Sequence, residues 1–464
     1  MPFSPKPDYD IVPRQILIRN FTSLRAKYIS RPPYQRKTVW SRRQQSLLLD
    51  SLFRRSYIPN IVLREVRLKT NEVVFEVIDG QQRINTVRRF LAGDLPLPDT
   101  LNDIDVRLPG KRYFQLEDKE LVDIKEFVDE ELSYEADLVK GINDPFNQNH
   151  LRIASNIFWR LQLGDKLNNM EVAHARLFST VRNFLVRYAD DYDFDIHTYE
   201  PIEVNKHKHK FFQHLYGRKN NRMEHLTMLG RLLLLESGDG PADLRDSALA
   251  EFIKSAESTD GIGNYSFEKN RHAKSLLKNL DLLCNIYRQD FQIGRQVFGI
   301  DYLVVSYYLL LRHLHRNYVL RAKGFDLFKA FIFDFHSRIT AKPVQDLNLR
   351  RFPESRQMDT SSIEERHRII RYEFFSFADA NGFEIKVKDA NRTFDERERL
   401  DIYMRGNGIC RMCKKEGKSE REATVKWSEF EADHVLPHSE GGQTLIENGQ
   451  VLCREHNRRK GDKV

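Results

Sequence analysis

The sequence predicts a multidomain α+β protein, and three features carry that expectation. Short Val/Ile/Phe-rich runs alternate with turns and helical stretches over the first 114 residues. Apolar residues then recur at helical spacing through most of residues 115–390. In the last fifty-five residues, three of the four cysteines and a histidine fall into two short pairs that bracket an Asp-His dipeptide. A chain of 464 residues is long enough for two or three domains, and the expected divisions are 1–114, 115–390 and 391–464.

Within the first part, residues 58–66 and 71–79 read as strands from their β-branched and aromatic content. Residues 41–55 read as a helix capped by Ser41, with Leu47, Leu48, Leu52 and Phe53 at helical spacing. After Asp79–Gly80 a second helix is expected, ending at Gly93. In the middle part the helical periodicity runs through 174–188, 226–236, 274–287, 300–314 and 325–336, without internal repeats. The most apolar stretch, Tyr302–Leu311, is too short to span a bilayer, so no membrane partner is expected and this reads as a buried helix. The polar Lys386–Arg392 marks the last boundary.

The composition is that of a globular chain, 40% hydrophobic and 31% charged, with a net charge of +8. Four cysteines, three of them in the metal-type pairs, leave no disulfide framework, which suits a reducing, cytoplasmic setting; the N-terminus has no basic-then-apolar signal pattern. The charge is uneven. From Pro13 to Arg55 there are eleven Lys/Arg against one acid, whereas Tyr113–Asp137 carries ten acids against two lysines. Lys206–Arg222 is again wholly basic. Such blocks are the footprint of a polyanion partner such as DNA, or else solvated faces and ion pairs within the protein. The sequence is compatible with assembly as a homo-oligomer.

Cys410 and Cys413 form a C-x-x-C pair, answered by Cys453 and His456 as C-x-x-H. Two such pairs on short turns can close one tetrahedral Zn²⁺ site. Between and beyond them lie Asp433, His434, His438, Gly441–Gly442, Asn448, Asn457 and Lys460. Carboxylate, imidazole and amide side chains pinned by a structural metal suit a metal-dependent phosphodiesterase; a zinc module that only folds or binds is the plainer alternative. This run resembles the HNH, or ββα-metal, endonucleases over about residues 395–464. His456 departs from the cysteine usual at the last ligand position, giving a Cys₃His set that zinc also accepts. The resemblance implies His434 as general base, Asp433 and Asn457 as oxygen ligands of a catalytic Mg²⁺ or Mn²⁺, and Asn448 as the residue that orients the catalytic loop. His438 is open between a metal ligand and a phosphate contact. Arg454, Arg458, Arg459 and Lys460 are expected to grip a phosphate backbone.

Asp79–Gly80–Gln81–Gln82–Arg83 stands where a strand end opens a helix. Gly80 permits a sharp turn, and the helix-start N–H groups with Arg83 make an anion site; a purely structural strand–turn–helix joint is the plainer reading. No Walker-type phosphate loop occurs. Taken with Arg31–Pro–Pro–Tyr34–Gln35–Arg36 and Val39–Trp40 upstream, and Asn156–Glu171 downstream, the segment resembles the N-terminal domain of GmrSD-type restriction enzymes, a ParB/sulfiredoxin-like fold. The resemblance covers about residues 15–190; Gln162 stands where the family carries asparagine. It implies a sensor that binds and hydrolyses nucleoside triphosphate and recognises modified or foreign DNA, with Asp79, Gly80, Gln81, Gln82, Arg83 and Arg36 in the pocket. The whole then reads as a DNA endonuclease of restriction or anti-phage defence. A DNA-binding regulator without nuclease activity, and a nucleotide-independent homing or repair nuclease, are the rival readings.

Overall fold

The computed structural model describes residues 8–34, 40–161, 168–195, 198–258, 264–341 and 346–461. The chain divides into two compact units. The first comprises residues 1–213, 218–234 and 244–274, and the second residues 214–217, 235–243 and 275–464.

The first unit is organised by a mixed five-stranded sheet in the order β1-β5-β3-β4-β2. Its strands are β1 (Asp10–Leu17), β2 (Tyr28–Ile29), β3 (Ile61–Arg67), β4 (Val73–Asp79) and β5 (Ser133–Lys140). Both expected strands of the N-terminal part, β3 and β4, are present and pair antiparallel, while β5 runs parallel to β3. The sheet thus extends past residue 114 into the stretch read as helical. β5 alternates, with Tyr134, Ala136 and Leu138 buried while Glu135 is exposed, so its acids occupy the outward positions of a period-two pattern.

Side chains of the central strands are buried on both faces. Ile61, Leu63 and Val77 point into one core with helices α1 (Arg42–Phe53) and α2 (Gln81–Leu91). Val62, Ile78 and Val139 point into another, with Leu151, Ala154 and Phe158. Ser41 caps α1 through a reciprocal capping box with Gln44. Leu48, Leu52 and Phe53 are buried as expected; Leu47 is not, and stands 56% exposed on the outer face.

The centre of this sheet contains a fully buried ion pair, Arg64 Nη1 to Glu76 Oε2 at 3.1 Å. Tyr34 and Tyr199 donate their hydroxyls to the same Glu76 carboxylate, and Arg64 donates to Ile142 O at 2.5 Å and Asp144 O at 2.9 Å. With every group partnered, the pair can stay charged in the interior.

The second unit is helical, with a small hairpin-and-helix part at its C-terminal end. Its central helix, α3 (Asp301–Asn317), is buried from Leu303 to Leu311, as the apolar run predicts. It packs on α4 (Thr360–Ala380). Among the described residues no single helix is long and apolar enough to cross a membrane. His367 of α4 is buried, and its Nδ1 has no hydrogen-bond partner among the described residues. Burial, with Arg371 and His313 beside it, pushes this imidazole down to about 3. The C-terminal part adds α5 (Glu396–Arg405), the antiparallel hairpin β8 (Phe430–His434) and β9 (Gly449–Cys453), and α6 (Arg454–Lys460). Strands Asp193–Asp195 (β6) and Glu200–Ile202 (β7) form a separate small ribbon in the first unit. Ile402, Phe430, Val451 and Leu452 form the core of the C-terminal part around the cysteines.

Candidate functional site

Cys410, Cys413, Cys453 and His456 converge. Their ligand atoms all lie within 4.8 Å of one another. His456 Nδ1 stands 3.4, 3.3 and 3.2 Å from the sulfurs of Cys410, Cys413 and Cys453. Ligands held at about 2.0–2.3 Å around one tetrahedral ion would stand roughly 3.5–3.8 Å apart, so the set is compatible with structural zinc. Both pairs are built alike. Cys410 caps the short helix Arg411–Lys415 and Cys413 is its third residue; Cys453 caps α6 and His456 is its third. His456 turns its other nitrogen to Glu416 Oε2 at 3.1 Å, the carboxylate–imidazole arrangement that fixes a metal-binding ring.

The hairpin above this cluster carries Asp433 and His434 at the end of β8, opposite Gln450 and Gly449 of β9. Gln450 Nε2 donates to Asp433 Oδ2 at 2.8 Å, and Lys460 Nζ does so at 2.7 Å while also donating to His434 O at 2.8 Å. Lys460 is therefore turned inward, 8% exposed, rather than projecting to a phosphate backbone. Arg459 pairs with Glu416, and Arg454 donates to Ser428 O. Asn457 lies on α6, one helical turn before Gly461, half-buried beside the hairpin.

His434 is buried and its ring stacks on Phe394, centroids 4.5 Å apart at 29°. Burial lowers its pKa from the ordinary imidazole value, with the adjacent Asp433 carboxylate opposing and His438 reinforcing. Burial thus favours the neutral ring, in which one nitrogen can take a proton. His434 Nε2 lies 3.0 Å from Thr444 Oγ1, and the Thr444 hydroxyl also contacts Asn391 O. His438 Nε2 lies 2.8 Å from Asp389 O.

Asn448 ties the intervening loop together. Its Oδ1 accepts from Leu436 N at 2.9 Å, and its Nδ2 donates to Leu436 O at 3.1 Å and Gln443 O at 2.8 Å. Gly442 is required here, because a Cβ would meet Leu436 O at 1.8 Å.

In the first unit, Asp79 ends β4, Gly80 takes φ +97°, and Gln81 opens α2. A side chain at Gly80 would meet Ile61 Cγ2 at 2.5 Å as well as the strained φ. Arg83 is buried and satisfied from within. It donates to Asp79 Oδ2 at 2.5 Å, to Pro59 O at 2.8 Å and to Asn60 O at 3.3 Å. It therefore locks the strand–turn–helix joint instead of projecting from it. Gln82 Oε1 accepts from Trp40 N at 3.3 Å, and Gln81 is buried. Arg182 anchors the upstream motif through Pro33 O and His174 O. Gln35, Arg36, Val39 and Gln162 lie outside the described residues.

Residues 18–229 match the model of the GmrSD restriction endonuclease N-terminal domain, and residues 410–463 match the model of the HNH endonucleases. The chain joins a GmrSD-type N-terminal domain to an HNH endonuclease domain. The two matches support a restriction-type HNH endonuclease, a domain content that implies DNA as the substrate. Comparison with curated proteins and with solved structures returned no match.

The GmrSD-type match takes in strands β2 to β5 of the sheet and begins just after β1. The HNH match takes in the Cys₃His cluster, the hairpin and α6, but starts after Asp389, Asn391 and Phe394. Those three, with Thr444, Gln450 and Glu416, are the site residues that sequence reading missed. Each acts through a partner many positions away, and no short-range spacing marks it.

Proposed function

We propose that the HNH domain cuts DNA with one divalent ion, and that the GmrSD-type domain senses modified or foreign DNA and hydrolyses nucleoside triphosphate in anti-phage defence. The observation that carries the nuclease half is a buried His434 beside Asp433, on a hairpin whose loop is held by Asn448 and whose base ends in the Cys₃His cluster. Asp433 and Asn457 supply oxygen atoms suited to Mg²⁺ or Mn²⁺. Such an ion, when bound, stabilises the charge that develops at the scissile phosphate. His434 takes the proton of the attacking water. Asn448 keeps the loop in register, and exposed Arg458 is placed on α6 to meet a phosphate. Zn²⁺ at the cluster holds hairpin and helix together without entering the reaction.

For the sensor half, Asp79, Gly80, Gln81, Gln82, Arg83 and Arg36 are the proposed nucleotide residues. Arg83 serves there by fixing the Asp79 carboxylate and the start of α2. One assay separates the readings: plasmid DNA and modified phage DNA, each with Mg²⁺, with and without nucleotide. Cutting that requires the divalent ion, and that responds to both modification and nucleotide, is the expected result. Cutting of unmodified DNA without nucleotide would reduce the protein to a plain HNH nuclease. No cutting under any condition would favour a DNA-binding regulator.

A further inference from the structure

The segment before the zinc cluster is held at two places within the second unit. On one side it is joined to the end of α3. Val319 N donates to Lys386 O at 2.9 Å, Lys388 N donates to Asn317 O at 2.8 Å, and Lys388 Nζ reaches His315 O at 2.7 Å. On the other side it grips the loop that follows His434. Asp389 Oδ2 accepts from Thr444 N at 2.8 Å, Asp389 O meets His438, and Phe394 covers the face of the His434 ring. Lys386, Lys388, Asp389 and Phe394 all precede Cys410, where the HNH match begins.

Hydrogen counting gives this grip a chemical meaning. Thr444 has a single hydroxyl hydrogen, and Asn391 O, a pure acceptor, lies against its Oγ1. The hydrogen therefore goes to Asn391, and Oγ1 offers His434 Nε2 only a lone pair. Nε2 must then be the protonated nitrogen of a neutral ring, which leaves Nδ1 bare. We propose that Asp389, Asn391 and Thr444 are positioning residues that lock His434 as its Nε2–H tautomer, making Nδ1 the atom that accepts the proton from water. This role presupposes His434 as the base, as proposed above. It also means that the base is set by the link to the helical unit, not by the HNH module alone.

The test uses the full chain. Thr444→Val removes the hydroxyl at nearly constant shape, and Thr444→Ser keeps it. Single-turnover cleavage with Mg²⁺ should fall about 10–100-fold in Thr444→Val, the usual cost of losing a supporting hydrogen bond. DNA affinity and zinc content should not change, and Thr444→Ser should recover most of the rate. Asp389→Ala should slow cleavage similarly, while Asp389→Asn, whose amide oxygen still accepts from Thr444 N, should be milder. Independently of cleavage, ¹⁵N-histidine spectra should show His434, assigned by its loss in His434→Gln, as Nε2–H in the wild type and as a tautomer mixture in Thr444→Val. Wild-type rates and an unchanged tautomer in Thr444→Val would overturn the proposal, as would a Thr444→Ser protein as slow as Thr444→Val. A His434→Gln protein that cuts normally, while the wild-type spectra keep the Nε2–H form, would instead overturn the choice of base.

Discussion

His434 owes its chemistry to burial and to the Phe394 ring over it, which together favour the uncharged form of a basic imidazole beside a carboxylate. Replacing it with alanine should lower cleavage by roughly 10²–10⁴-fold, the contribution of a general base, with DNA binding retained in gel-shift or anisotropy measurements. A smaller loss would assign proton removal to another group. Arg83 presents the opposite case, a side chain whose value lies in its partners. Arg83→Ala removes the hydrogen bonds that Arg83 gives to the Asp79 carboxylate and to the Pro59 and Asn60 carbonyls, each worth about 0.5–1.5 kcal/mol, or about 1.5–3 kcal/mol to a charged group. Nucleotide hydrolysis is expected to disappear in this variant, and its denaturation midpoint should fall as well. Arg83→Lys then separates the two effects. A lysine variant that is folded but inactive would tie the guanidinium to chemistry, whereas full activity would make Arg83 a joint. At this scale the convergence of Cys410, Cys413, Cys453 and His456 was legible in the sequence because Cys and His sit at fixed short spacings. Asp389 and Thr444 were not, because fifty-five positions separate the partners.

The helices and hairpins follow the same rule. Elements whose apolar period is uninterrupted, such as α1, α3 and β4, emerge where periodicity puts them. β5 was hidden because Glu135 and Asp137 sit in a run of ten acids that outweighs its alternation. Two outcomes test the elements directly. The hairpin and α5 share a small core around the cysteines, so Cys453→Ala should lose stoichiometric zinc and lower the melting of this part. An unchanged melting profile in a zinc-free protein would remove the metal's structural role. Between α3 and α4, His367 is neutral when folded and titrates near 6.5 when unfolded. Its depressed folded value contributes stability that is complete above pH 6.5 and lost as pH falls towards 3. His367→Leu should therefore lose less melting temperature than the wild type between pH 7 and 4.5. Parallel slopes would show that this histidine is not what acid acts on.

Across the whole chain, Asp79 and Arg83 belong to one compact unit and His434 to the other. His434→Ala should accordingly leave nucleotide turnover intact, measured as phosphate release with and without DNA. If DNA changes the affinity for nucleotide, nucleotide must change the affinity for DNA by the same factor, which binding titrations in both directions can check. Loss of turnover in His434→Ala would merge the two activities into one site. The topology of the sheet has a further consequence, for synthesis. β1 takes its sheet partner from β5, and Gln15 meets Ser133 across 118 positions. At about 5–20 residues per second a ribosome leaves that strand without its partner for roughly 6–24 s. During that interval Ile11 and Val12 are on offer to any neighbouring nascent chain. Pro13, which has no N–H to donate, and Arg14, which carries charge, are residues that discourage such pairing, so β1 is fitted to wait.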